Sequence, residues 1–189
     1  MLIAAISIAT ASAFATSCSD DGSGGTCGTD GAPAAGLVVT STGPGDLAVT
    51  YGNLSSLSGN DCPDPAAPEG VISLSIEGQA IGGAGLITFC IPRPDLLGSG
   101  NRALGNTAMG DVRVIDLQGT TATCTYRSRS TLPMPTGTVT ATGVCDNGTN
   151  PAGFALSIDG ALMVERTCGA TVDQIPVTLV GRVAVTSRD

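Results

Sequence analysis

Seven cysteines, sixteen carboxylates and two tyrosines are most of what this sequence offers for chemistry, because it contains no histidine and no lysine. Without histidine it lacks the usual general base, the commonest transition-metal ligand and the partner of a nucleophilic serine or cysteine. Without lysine it lacks Schiff-base chemistry and the Ser–Lys pair. The G-x-S-x-G elbow and the glycine loops that cradle phosphates are missing as well. What remains for an enzyme is a converging pair of carboxylates of the kind that hydrolyses glycosides. Such a site also needs surfaces that hold a sugar, and this chain has three phenylalanines, two tyrosines and no tryptophan. The expectation is a protein that is not an enzyme, with a secreted carboxylate-dependent hydrolase as the alternative.

The thiols are Cys18, Cys27, Cys62, Cys90, Cys124, Cys145 and Cys168. They contain no C-x-x-C, and no histidine stands by to complete a zinc site. Widely spaced cysteines without a metal motif read as disulfides of an exported chain. Seven is odd, so one cysteine needs a separate fate. With Cys18 set aside, six remain for three bridges, and about fifteen connectivities are open to six cysteines. The expected pairing is Cys62–Cys90 and Cys124–Cys145, with Cys168 left for Cys27. Each bridge closes a loop of tens of residues and stabilises the fold by about 3–4 kcal/mol.

One loop gathers three carboxylates around a cysteine. Asp61, Asp64 and Glu69 surround Cys62 in "NDCPDPAAPEG" (60–70) and offer oxygen ligands to a calcium ion. The plainer reading is a proline-stiffened acidic loop. Asp146 and Asn147 in "CDNGTNPAG" (145–153) lie beside Asn-Gly and Asn-Pro steps, which form turns first. No cofactor beyond that calcium ion is expected. The Arg127-Ser128-Arg129 group reads as a solvated strand edge. The net charge is −8 and all eight basic residues are scattered arginines, so no basic stripe exists for nucleic acid.

These groups must be placed by the rest of the chain, which begins with an uncharged run, Leu2–Ser17, "LIAAISIATASAFATS". A spanning helix needs about 20 residues, whereas a short apolar run ending in small residues suits a secretory signal. Ala11-Ser12-Ala13 fits the A-x-A rule and directs cleavage before Phe14. Ala15–Cys18, "ATSC", resembles the lipobox of bacterial lipoproteins, with alanine where that class most often has leucine. The resemblance covers only this N-terminal stretch. It implies cleavage before Cys18 and a diacylglycerol on its sulfur, a stronger anchor once the amine is also acylated. It also implies a cell-envelope location, the outer membrane of a Gram-negative bacterium being compatible with Ser19. The alternative is a secreted chain that begins at Phe14. Partners are then the membrane, through the lipid, and an envelope protein.

Ser19–Ala35 has no apolar periodicity and reads as a flexible Gly/Ser/Asp tether. From Gly36 onward the period is two. In "GVISLSIEG", Ile72, Leu74 and Ile76 form one face, and Ser73, Ser75 and Glu77 a face expected to meet water. "GLITFCI" (85–91) is apolar on both faces and reads as central. Gln118-Gly119 and Asp159-Gly160 read as hairpin turns. Val177, Leu179, Gly181, Val183 and Val185 share a face, and Gly181 signals a bulge or a close backbone approach. A helical turn is expected only at Arg93–Gly100, after Pro94.

The expected organisation is a signal at 1–17, a tether at 18–35 and one all-β domain at 36–189. Its architecture is an antiparallel β-sandwich of eight to ten strands, or a partly closed barrel. The function this composition supports is that of a lipid-anchored, non-catalytic structural or binding module.

Overall fold

The computed structural model describes residues 36–41, 47–59, 62, 72–81, 84–98, 100–106, 108–144 and 153–187. These form β1 (Gly36–Ser41), β2 (Ala48–Tyr51), β3 (Asn53–Gly59), β4 (Ser73–Gln79), β5 (Ala84–Ile91), β6 (Asn101–Ala103), β7 (Arg113–Thr120), β8 (Cys124–Arg127), β9 (Thr136–Thr142), β10 (Gly153–Cys168) and β11 (Thr171–Ser187). One 3-10 turn, Pro94–Leu96, falls where the proline signal predicts it. No α-helix occurs among the described residues, and none is long and apolar enough to cross a membrane. The all-β expectation holds. Eleven strands exceed the expected range because Gly52 divides β2 from β3 and because the three-residue β6 carries no signal of its own.

The longest alternation in the sequence forms the spine. β10 and β11 pair antiparallel along their whole length, from Gly153↔Thr186 to Cys168↔Thr171. Ile175, Val177, Leu179, Val183 and Val185 of β11 are buried, as are Phe154, Leu156, Ile158, Leu162 and Val164 of β10. These faces line one core with Tyr51, Ile76, Phe89, Leu117 and Tyr126. The hydrogen-bonded ring β11–β3–β4–β5–β7–β8–β10 returns to β11, so the wall is a closed barrel of seven strands. Closure covers strand edges along that ring, the stretch of β11 before Val177 excepted. All its pairings are antiparallel except β3 with β11, which is parallel. Two flaps extend the wall: β1 pairs along β11 and carries β2 on its other side, and β9 pairs along β10 and carries β6.

Glycines permit the crowding at these junctions. Gly181, with φ of 148°, lies so close to Gly36 that a Cβ there would sit 2.2 Å from the Gly36 carbonyl oxygen. The predicted close approach is therefore present, at the point where β1 wedges between β11 and the β2–β3 strand. Two predicted turns are not turns. Asp159-Gly160 lies inside β10, and the chain reverses at Gly169-Ala170. Gly169 has φ of 59° and no non-glycine residue among the described residues has positive φ, the pattern of a turn with glycine at its first central position. Gly160 serves packing instead: a Cβ there would meet Leu104 Cδ2 at 2.7 Å and the Thr136 carbonyl at 2.8 Å. Gln118-Gly119 likewise lies inside β7, and the reversal comes at 121–123. A Cβ on Gly119 would meet Leu47 at 2.7 Å.

The polar face of β4 is also corrected. Ser73 and Ser75 are buried rather than wet. The Ser73 hydroxyl donates to the Gly59 carbonyl at 2.8 Å and accepts from the Cys62 backbone N–H at 3.4 Å. Cys62 is held there by its disulfide to Cys90, with Cα atoms 6.1 Å apart. β5 is central, as expected, with Ile87, Phe89, Cys90 and Ile91 buried.

Candidate functional site

One group of chemistry-bearing residues that the fold brings together lies along the shortest strand of the ring. β8 has four residues and bridges β7 to the end of β10. Its register sets two rows across three strands on the outer wall. One row is Thr120–Thr125–Thr167; the next is Gln118–Arg127–Glu165. Neighbouring strands lie about 4.8 Å apart, and alternate residues along a strand about 6.8 Å apart. The six side chains therefore form a small regular grid. Short threonines beside long side chains leave a trough of about 250 Å³.

Local structure explains why these side chains point outward. β7 carries a bulge: Thr88 pairs with Asp116 and Phe89 with Val114, so Ile115 is an extra residue and is exposed. The bulge resets the alternation, turning Leu117, Gly119 and Tyr126 inward and Gln118, Thr120, Thr125 and Arg127 outward. Ser128 then fixes the end of β8. Its backbone N–H donates to the Leu117 carbonyl at 2.8 Å, and its hydroxyl accepts from the Leu117 N–H at 2.9 Å.

The charges are partly matched. Arg129 donates to Glu165 Oε1 from Nε at 3.2 Å and from Nη2 at 2.8 Å. Gln118 donates to Asp116 at 2.5 Å and accepts from Arg127 Nη2 at 3.4 Å. That long bond to a neutral amide is the one hydrogen bond of the Arg127 side chain among the described residues. Its groups are hydroxyls, an amide, guanidinium cations and the Glu165 carboxylate, which can hydrogen-bond polar and anionic atoms.

The inner side of the same wall is stiffened. Cys124 and Cys168 face each other directly across β8 and β10 and form a disulfide, with Cα atoms 4.3 Å apart. Cys124 therefore does not pair with Cys145, nor Cys168 with Cys27. The reason is register: the β8–β10 seam sets Cys124 opposite Cys168 at the close spacing of a non-hydrogen-bonded pair. Two residue pairs further along, Arg166 donates to Asp173 from Nε at 2.9 Å, and its Nη2 bonds the other carboxylate oxygen. That hydrogen bond holds the Asp173 carboxyl below the usual carboxylate range and raises the Arg166 guanidinium. Arg166 also meets Tyr126.

Of the residues singled out in the sequence, Cys62 and Cys90 pair as expected. Cys18, Cys27 and Cys145 lie outside the described residues, as do Asp61, Asp64, Glu69, Asp146 and Asn147. The Arg127-Ser128-Arg129 reading is corrected: β8 has partners on both sides, so these residues do not guard an edge. The trough itself was missed. Its signal was a polar residue, a skipped position and a threonine, or the reverse, on three separate strands: Gln118-x-Thr120, Thr125-x-Arg127 and Glu165-x-Thr167. Compared with protein-family models, curated proteins and solved structures, the chain matches none.

Proposed function

We propose that this protein is a non-catalytic binding module that works outside the cytoplasm, displayed on a tether from a lipidated Cys18. The observation that carries the reading is the disulfide pair, Cys62–Cys90 and Cys124–Cys168. Such bridges persist in oxidising compartments and not against cytosolic thiols. Both fasten positions of structural consequence, one the β8–β10 seam and the other the outer face of β4 and β5. The apolar leader and "ATSC" supply the route and the anchor, and the trough on the rigid wall supplies a binding surface.

The test is fractionation of cells expressing the full chain and its Cys18→Ala variant. The wild-type protein is expected in the membrane fraction, extracted by detergent and not by high salt. The variant is expected in the soluble extracytoplasmic fraction with the same melting temperature. A wild-type protein released freely into the medium contradicts the anchor and favours the secreted alternative. A cytoplasmic protein contradicts the reading altogether.

A further inference from the structure

The trough on the outer wall has a defined polarity that narrows its ligand. Arg127 stands at the centre of its row, exposed, with one 3.4 Å bond to the Gln118 amide among the described residues. Glu165, on its other side, is already engaged by Arg129. Asp116 is held by Gln118 and lies 3.5 Å from the Ser128 hydroxyl, one step outside the grid. Arg127 is therefore the cation with the most unused donor capacity in the trough, on a chain whose net charge is −8. A guanidinium presents five donors in a planar fork that fits a carboxylate in two parallel bonds. Both Glu165 and Asp116 disfavour a doubly charged phosphate, whereas one negative charge matches one cation.

The second row describes the rest of the ligand. Thr120, Thr125 and Thr167 place three hydroxyls in line, each able to donate and accept. Among the described residues their side chains make no hydrogen bond. Their pitch of about 4.8 Å is set by the strand spacing and suits alternate hydroxyls of a six-membered ring. Their methyl groups offer small apolar contacts between the hydroxyls. A volume of about 250 Å³ is below the range of drug-sized pockets, about 300–1,000 Å³, and admits a single ring. No aromatic side chain is exposed in the trough, Tyr126 being buried, so recognition rests on hydrogen bonds and one ion pair and is weak for a monomer.

We propose that the trough binds a hydroxylated carboxylate of the uronic-acid type. Arg127 takes the carboxylate, and the Thr120–Thr125–Thr167 row takes the ring hydroxyls. The disulfide and the Arg166–Asp173 pair behind the wall hold the floor in place before the ligand arrives. This inference rests on the binding-module reading but not on the anchor at Cys18.

The experiment is calorimetric titration of the oxidised protein with galacturonate, with galactose and with a short galacturonate oligomer, at low salt. Galacturonate is expected to bind saturably and galactose at least about tenfold more weakly, as the loss of a charge-assisted pair requires. R127Q should weaken galacturonate at least about tenfold while melting like the wild type, since the side chain is exposed. E165Q should tighten it, because Arg129 is then freed, and a misfolded variant cannot do that. An oligomer that binds more tightly than the monomer identifies the ligand as a polysaccharide; equal affinities identify a free sugar acid. The proposal is overturned by galactose binding as well as galacturonate, by R127Q binding like the wild type, by E165Q failing to tighten binding, or by no saturable heat. Failure here leaves the fractionation result standing, and failure of the anchor leaves this titration standing.

Discussion

Single residues show where the fold carries cost. Tyr51 is fully buried, and its hydroxyl has no hydrogen-bond partner among the described residues. Burial without a partner pushes its phenol up to about 12. An unpaired buried hydroxyl costs about 1–3 kcal/mol, so removing it can stabilise. Tyr51→Phe is expected to be at least as stable as the wild type in denaturant unfolding at neutral pH. The alkaline limb carries a sign. An unfolded tyrosine titrates near about 10, so between there and the folded value the native state holds a proton that the unfolded state has lost. Stability contributed by the neutral phenol therefore falls as pH rises through that window. The variant lacks this loss, and its advantage over the wild type should grow by about 2–3 kcal/mol, two units at about 1.4 kcal/mol each. A variant that is less stable by more than about 1 kcal/mol would show that the hydroxyl has a partner after all.

At the scale of the strand, β8 is the weak link and the disulfide its lock. Four residue pairs join β8 to β10, against sixteen between β10 and β11. Replacing both Cys124 and Cys168 by serine removes a bridge across 44 residues and should cost about 3–4 kcal/mol. The loss should be local as well as global. Hydrogen exchange is expected to quicken first at the β8 amides and the trough rim, while β4 and β5 stay protected. Uniform loss of protection across the barrel would show that the seam is not a separate unit.

The same elements separate what local sequence shows from what it hides. The alternation of Val177–Val185 was legible because a period of two with one apolar face admits one register to the core. Asp159-Gly160 misled because a glycine needed for a turn and a glycine needed for close approach look alike locally. Only the facing Leu104 and Thr136 tell them apart. Cys124 was assigned to the wrong partner because nearness in sequence was the only guide, and the ring places Cys168 opposite it. The trough was hidden more deeply. Its rows exist only after the Ile115 bulge has shifted β7 by one residue and two turns have set β8 between its neighbours. One feature of β11 that could have been read is Pro176. Thr171 and Cys168 flank a two-residue turn, and the alternation from there leaves Pro176↔Met163 a pair without ladder bonds. Its missing N–H then faces the stretch of β11 that β1 does not cover, an edge position suited to proline.

The whole molecule joins an acidic, aliphatic chain to a closed wall. The ring of paired strands encloses a core built mainly from aliphatic side chains. Two disulfides supplement the aliphatic core, one at the seam and one pinning Cys62 onto the wall. The N-terminal part of the chain joins this body at Gly36, wedged in the wall between Gly181 and the Tyr51–Gly52 backbone. In the proposed arrangement the lipid, the tether and the barrel follow one another along the sequence. The β10–β11 turn lies eleven residue pairs along the hairpin from the Arg182 pair that marks β1's start, so the trough beside that turn is carried away from the attachment point. The central claim is an anchored, oxidised barrel, and the intact mass of the mature protein, before and after reduction, tests it most directly. The expected chain begins at Cys18, is heavier by its lipid and gains at least four hydrogens on reduction, two for each of the bridges Cys62–Cys90 and Cys124–Cys168, with Cys124 linked to Cys168 in the unreduced digest. An unmodified chain beginning at Phe14, or Cys124 and Cys168 recovered as free thiols, would contradict it.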